Sequence, residues 1–333
     1  NAPASELDAL LPRLGELRGA LAQAVVGQAD VVEQLLIGLL AGGHCLLEGA
    51  PGLGKTLLVR SLGQALELQF RRVQFTPDLM PSDILGTELL EEDHGTGHRH
   101  FRFQQGPIFT HLLLADELNR TPPKTQAALL EAMGERQVTV GRETYRLPQL
   151  FLVMATQNPI EQEGTFPLPE AQLDRFLMHV RVGYPDAATE SRILALARDR
   201  ALAELDAQPV KIERMPLDTL FAARRAVLEL HMAPAVERYV VELVLATRDA
   251  SPYDPALARR IAWGASPRGS IALERCARAT AWLAGRDFVT PDDVRAVAPD
   301  VLRHRVLPSY EATAEGWDGE RLVTALIDRV PLP

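Results

Sequence analysis

Three short stretches of the chain combine residue types and spacings suited to phosphate chemistry. The first is Gly49-Ala50-Pro51-Gly52-Leu53-Gly54-Lys55-Thr56, which fits G-x-x-x-x-G-K-[ST]. It follows a short apolar run and opens the helical stretch 55–68, with Leu57 directly after the motif, the context this motif requires. The glycines let successive backbone N–H groups wrap a phosphate, and the helix N-terminus adds a favourable potential for an anion. Lys55 then reaches the β- and γ-phosphates of a nucleoside triphosphate, and the Thr56 hydroxyl is a ligand for Mg²⁺. The second is Leu112-Leu113-Leu114-Ala115-Asp116-Glu117, an apolar run ending in two carboxylates. Asp116 is suited to hold Mg²⁺ directly or through water, and Glu117 to polarise an attacking water. The third, from Phe151 to Asn158, is another apolar run with a polar end. Asn158 there can donate to the γ-phosphate or orient the water, although Asn158-Pro159 is also a turn signal.

Groups on separate segments act together only if the fold brings the segment ends to one place. Up to about residue 181 short apolar runs alternate with helical stretches. The runs are 44–48, 72–75, 109–115, 150–155 and 176–182; the helical stretches include 29–41, 55–68 and 124–133. That alternation predicts a parallel sheet covered on both faces by helices. Beyond Tyr184-Pro185 the strand signal stops, and helices are expected over 188–205, 216–230, 235–250, 255–263, 270–283 and 291–305. Several have the expected opening residues, as in Thr290-Pro291-Asp292-Asp293. Two stretches break the alternation. Residues 85–103 end in the alternating His100-Phe101-Arg102-Phe103, and 137–147 alternate around Gly141-Arg142, so each predicts a hairpin. Neither is needed for phosphate chemistry, which makes both candidates for contacting something else.

At 333 residues the chain is long enough for two domains, and 47% hydrophobic with 24% charged residues is a globular composition. The net charge is −9, from 35 basic and 44 acidic residues, which disfavours coating of nucleic acid. Lysines number three against 32 arginines, so a lysine in a glycine-rich loop stands out. Cys45 and Cys276 are too few for a disulfide framework or thiolate metal site, and a reducing, cytoplasmic setting is expected. The longest apolar stretch carries Glu33, Gln34 and His44 and is broken by Gly42 and Gly43, so no membrane span is expected. No signal-peptide pattern opens the chain, and a start at Asn1 points to a trimmed beginning. His94, His98 and His100 have metal-like spacing but sit in a charged, Gly-rich tip, which reads as a solvated loop or partner contact. Trp263 and Trp282 sit at helical spacing and read as core.

The three stretches, in this order, resemble an AAA+ ATPase, and the wording narrows the resemblance to the MoxR family. It is carried by Gln74-Phe75-Thr76-Pro77-Asp78-Leu79-Met80-Pro81-Ser82-Asp83, by Ala115-Asp116-Glu117-Leu118-Asn119-Arg120 with Pro122-Pro123-Lys124-Thr125-Gln126, and by the stretch 155–174. Ser266-Pro267-Arg268-Gly269 and the stretch 285–293 extend it, so that it spans about 25–305. The resemblance implies an N-terminal helical extension over 1–24, an αβα nucleotide-binding core over 25–185 and an all-helical lid over 186–333. A helix insert at about 85–104 and a hairpin at about 137–148 belong to the core. It implies binding of ATP or ADP with Mg²⁺, and a segment including Val26 and Gly27 that cradles adenine. Arg175, in Leu173-Asp174-Arg175-Phe176, matches the finger arginine that reaches a neighbouring subunit's ATP. Arg268 matches the lid arginine that senses nucleotide, and Arg120 is a weaker candidate for a contact across subunits. It further implies a ring, usually a hexamer, and chaperone-like work on client proteins that often contain von Willebrand factor A domains. Two other readings compete: the motor subunit of a chelatase, and a nucleic-acid motor. The wording of 74–83 and 155–174 disfavours the first, and the charge and lysine-poor hairpins disfavour the second.

Overall fold

The computed structural model describes residues 4–92, 99–159, 164–205 and 215–333. It opens with helices α1 (Ala4–Ala24) and α2 (Ala29–Ala41), then strand β1 (Cys45–Glu48), α3 (Lys55–Ala65), β2 (Phe70–Gln74) and the short α4 (Pro81–Leu85). A hairpin of β3 (Gly86–Glu92) and β4 (Arg99–Gln105) leads to β5 (Leu112–Asp116) and α5 (Pro123–Glu135). A second hairpin, β6 (Gln137–Val140) and β7 (Glu143–Arg146), precedes β8 (Leu152–Gln157), α6 (Glu170–Leu173) and β9 (Met178–Arg181). Helices α7 (Ala187–Leu205), α8 (Leu217–Glu229), α9 (Pro234–Arg248) and α10 (Pro255–Ala258) follow, then β10 (Ile261–Trp263), α11 (Pro267–Leu283) and α12 (Pro291–Leu302). The last elements are β11 (Leu307–Pro308), α13 (Tyr310–Ala314) and α14 (Gly319–Arg329).

Five of these strands form one all-parallel sheet in the order β2-β5-β8-β1-β9. The near-continuous apolar runs of β5 and β8 follow from burial on both faces: Leu112 to Ala115 and Val153 to Ala155 are almost wholly inaccessible, whereas the edge strand β2 keeps Arg71, Arg72 and Gln74 exposed. The carboxyl ends are in register. Gln74 stands opposite Asp116, and Glu48 opposite Gln157. Ligands bind at this edge of open α/β sheets, so the registration fixes where the site lies. An apolar cluster on one face joins α1, α2 and α3 to α8, α9, α11, α12 and α14; another on the opposite face joins α4, α5 and β6. Among the described residues no helix is long and apolar enough to cross a membrane.

The C-terminal region is helical, with two departures from the sequence expectation. The helix expected over 255–263 stops at Ala258, and Ile261–Trp263 instead pairs antiparallel with Leu307–Pro308. Gly264 closes that strand against α9, where a Cβ would lie 2.4 Å from the Thr247 carbonyl. Its partner comes more than 40 residues later, so no local period announces the pairing. Trp263 therefore lies 70% exposed rather than in the core, whereas Trp282 is buried. The insert at 85–104 is a β-hairpin reached from one turn of helix, joined to the second hairpin by stacking of Phe103 on Tyr145 at 3.9 Å. His94 and His98 lie outside the described residues; His100 is exposed beside Glu91. Cys45 and Cys276 are free and buried, and burial raises both thiols.

Two buried histidines make stability pH-dependent. His44 Nδ1 accepts from the Val153 N–H at 2.9 Å and its Nε2 lies 3.4 Å from the Met133 carbonyl, a pattern a neutral ring satisfies. Burial lowers its pKa to about 4, and lowers His304 well below its ordinary value. Both rings bind a proton more readily when unfolded, so their contribution is complete above pH about 6.5 and is lost as the pH falls through the folded values. For His44 alone the loss at pH 5 is about 2 kcal/mol. The urea midpoint is expected to fall between pH 7.5 and pH 5; an unchanged midpoint would contradict this role of the burial.

Candidate functional site

Strand β1 runs into the loop of residues 49–54, which turns at once into α3. Gly52 and Gly54 have φ of 82° and 78°, a left-handed conformation that side chains resist, and a Cβ on Gly49 would lie 2.6 Å from the Val182 carbonyl. Leu58, Val59 and Leu62 bury the inner face of α3, so its N-terminal turn is held facing the loop. Lys55 is folded back on that loop, donating to the Gly49 carbonyl and, at 2.9 Å, to the Ala50 carbonyl. Partial burial lowers its pKa, opposed by the carboxylates of Asp116, Glu117 and Glu48. The ammonium thus sits half-desolvated on the loop, near three carboxylates.

The end of β5 places the two carboxylates beside it. Asp116 Oδ1 accepts from Thr156 Oγ1 at 2.6 Å, while Oδ2 accepts from Thr56 Oγ1 at 3.3 Å and from Arg72 at 2.7 and 3.0 Å. Glu117 is a non-glycine residue with φ 57° and ψ 50°. That costs on the order of 1 kcal/mol, offset by its N–H donating to Thr156 Oγ1 at 2.9 Å. Its carboxylate accepts from Gln74 Nε2 at 2.8 Å and pairs with Arg120 at 3.2 Å. Glu48 accepts from Gln157, and the His179 ring, with Nε2 3.2 Å away, together with Gln157 and Arg181 holds its carboxyl at about 2.

Asn158, buried, ends β8 at the same edge, and its carbonyl accepts from Asn119 Nδ2 at 3.4 Å. The motif glutamine Gln126 donates to the carbonyls of Leu118, Thr121 and Phe166, so it fastens the turn after Glu117 to the chain beyond Asn158. A cleft of about 420 Å³ is lined by residues 51–57 together with Arg72, Gln74, Asp116, Glu117, Thr156, Gln157 and Asn158. It shares Pro51, Gly52, Leu53, Gly54 and Leu57 with a neighbouring pocket of about 430 Å³, completed by Val25, Val26, Gln28 and side chains of α7 such as Ile193 and Leu196. One pocket is polar with a lysine and carboxylates and the other largely apolar, as a triphosphate and a base require. Gly27 (φ 80°) is the turn beside the apolar pocket, packed so closely on Thr189 that a side chain would collide. Thr56 Oγ1 and Asp116 Oδ2 are hard oxygen donors facing one cleft, a set that fits Mg²⁺.

Lys55, Thr56, Asp116, Glu117 and Asn158 are therefore brought together, and Arg175 and Arg268 line neither pocket. Arg175 follows α6, where its guanidinium donates to the Leu130 carbonyl at 2.5 Å. Arg268 is exposed at the start of α11. The two are linked: Ser266 Oγ accepts the Arg268 N–H and donates to Asp174, the residue before Arg175. Residues the motifs alone did not single out also enter the site. Arg72 and Gln74 come from β2, Thr156 and Gln157 from β8, and Glu48 from β1. Thr156, Gln157 and Gln74 lie inside recognised motif text, but their partners depend on strand order.

A glycine-rich loop after β1, a carboxylate-ended strand β5 separated from it by β8 alone, and a helical region after the sheet define a P-loop ATPase fold of the AAA class. Residues 44–178 match the model of the ATPase family associated with various cellular activities, and residues 255–326 match that of the AAA lid domain. The chain is 42% identical to Chaperone MoxR1 of Mycobacterium tuberculosis, over 93% of this chain and 79% of that one. It is 38% identical to Protein MoxR of Paracoccus denitrificans over 96% of both. The crystal structure of a candidate ATPase from Cytophaga hutchinsonii superposes with a TM-score of 0.87 at 40% identity, covering 99% of this chain and 97% of that one. A magnesium-chelatase subunit of Nicotiana tabacum is 30% identical over 59% of this chain and 42% of its own length. The chain belongs to the MoxR family of AAA ATPases.

Proposed function

We propose that this protein hydrolyses ATP with Mg²⁺ in a ring of identical subunits and uses the cycle for chaperone-like remodelling or maturation of client proteins. The observation that carries the reading is the convergence of Lys55, Thr56, Asp116, Glu117 and Asn158 on one cleft from the ends of three adjacent strands and a helix. Lys55 leaves the Gly49 and Ala50 carbonyls to hold the β- and γ-phosphates. Thr56 and Asp116 hold Mg²⁺, which when bound neutralises charge on the phosphate oxygens. Glu117 takes up a proton from the attacking water, and Asn158 orients that water or the γ-phosphate. Val26 and the apolar pocket hold the base. Arg175, remote from its own subunit's cleft, completes the neighbour's site. Arg268, tied to it through Ser266 and Asp174, senses the same nucleotide.

A core over 25–185 with a lid over 186–333, a hexameric ring and partners with von Willebrand factor A domains belong to this reading. The name Chaperone MoxR1 of a relative supports client remodelling. The partial coverage of the chelatase subunit argues against a dedicated chelatase motor, and a net charge of −9 against a nucleic-acid motor. Phosphate release is expected with Mg²⁺ and ATP and is expected to stop in excess EDTA; unchanged release in EDTA would refute the metal assignment. In the same assay Glu117→Gln is expected to bind ATP but turn it over slowly, which prolongs client contact. Mass spectrometry of its captured proteins against a Lys55→Ala control tests the client: recovery of nothing above the control overturns ATP-gated remodelling.

A further inference from the structure

Beyond the end of α12 the chain carries three consecutive buried polar residues, Arg303, His304 and Arg305, each below 10% exposed. Such residues are rarely buried unless something specific satisfies them. Arg305 is the most fully engaged. Its Nε donates to Asp174 Oδ1 at 2.9 Å, and one terminal nitrogen donates to the Asp174 carbonyl at 3.1 Å and the Phe176 carbonyl at 2.6 Å. The other donates to the Leu177 carbonyl at 3.2 Å and to the Val301 carbonyl. These are five acceptors for the five N–H groups of a guanidinium, and four of them lie on residues 174–177. The His304 ring adds a contact to the Phe176 carbonyl at 3.0 Å. Asp174 and Phe176 flank Arg175, which makes none of these bonds.

We infer that Arg305 is a positioning residue for Arg175: its guanidinium, buried in the C-terminal helical region, grips the chain on either side of Arg175 and sets the aim of that side chain toward the neighbouring subunit. The inference rests on the reading that Arg175 acts across the interface. The grip also joins the two arginines, because Asp174 takes Ser266 Oγ at 2.8 Å on its second oxygen and Ser266 caps the helix bearing Arg268. Hydrogen bonds thus tie Asp174, next to Arg175, both to Arg305 and to the helix bearing Arg268. Loss of the grip displaces Arg175, where misplacement by about 1 Å costs as much as 10²-fold in rate.

Two variants test this. Arg305→Lys keeps the charge but supplies three donors from one atom, too few and too concentrated to span residues 174–177. Asp174→Asn keeps shape and removes the charge, and carries the test if the lysine variant does not fold. Each is expected to assemble and to bind a fluorescent ATP analogue within about twofold of wild type, while kcat falls about 10–100-fold. Mixed with Lys55→Ala chains, each is expected to regain turnover, because an intact P-loop then meets an undisturbed Arg175. Mixed with Arg175→Ala chains, neither is expected to gain any, since both partners lack a working finger. A kcat within twofold of wild type, or rescue by Arg175→Ala in place of Lys55→Ala, would overturn the inference. If the Lys55→Ala and Arg175→Ala mixture gains turnover but the Arg305→Lys or Asp174→Asn mixtures with Lys55→Ala do not, only this inference falls. If no mixture gains, the action of Arg175 across subunits falls first.

Discussion

Lys55→Ala is expected to weaken nucleotide binding at least 100-fold. In the proposed reading the Lys55 ammonium holds the β- and γ-phosphates, and two charge-assisted hydrogen bonds at roughly 1.5–3 kcal/mol each account for that loss. The fold should survive the change, because α3 is anchored by Leu58, Val59 and Leu62 rather than by Lys55. Titration of a fluorescent ATP analogue measures the effect. Affinity near that of wild type would remove Lys55 from the phosphate site, and with it the assignment of the loop.

Arg175→Ala is expected to give the opposite pattern, with binding retained and hydrolysis nearly lost. The side chain lines neither part of its own subunit's cleft, so the affinity of that cleft has no reason to change. A finger guanidinium offers planar, paired donors to charge developing on the transferred phosphoryl, and such fingers contribute roughly 10³–10⁵ in rate. Loss of its charge-assisted bond to the Leu130 carbonyl costs roughly 1.5–3 kcal/mol of stability, less than the roughly 5–15 kcal/mol that holds a folded domain. Steady-state phosphate release separates the two effects. Turnover like that of wild type would take Arg175 out of the reaction.

The parts of the molecule legible in the sequence are those whose signal is local. The apolar runs at 44–48 and 150–155 read as buried strands because burial on both faces leaves them almost no polar side, and they are β1 and β8. The run at 72–75 is the edge strand β2, which keeps Arg72 and Gln74 exposed. The P-loop declares itself through glycines that only the turn requires. Thr290 read as a helix opener, and its hydroxyl and N–H both bond Asp293. What the sequence hid depends on strand order and distant packing. Arg72 reaches Asp116 across 44 residues and Gln157 reaches Glu48 across 109, contacts that exist only because β2 neighbours β5 and β8 neighbours β1. Ile261–Trp263 read as helix because its β-partner lies far along the chain, and Trp263 read as core by the same error of period. Arg305 closes the helix expected over 291–305, which ends at Leu302; only the fold shows that its guanidinium is enclosed by residues 174–177.

Mixing two inactive chains tests most directly the claim that a complete site is built from two subunits. Lys55→Ala supplies an intact Arg175 and a broken P-loop; Arg175→Ala supplies the reverse. Under conditions where subunits exchange, verified with fluorescently labelled chains, some interfaces in the mixture pair an intact Lys55 with an intact Arg175. Partial recovery of phosphate release, rising with the proportion of such interfaces, is the predicted result. A mixture as inactive as its components, with exchange demonstrated, would place Arg175 in the service of its own subunit or outside the reaction, and would contradict the account.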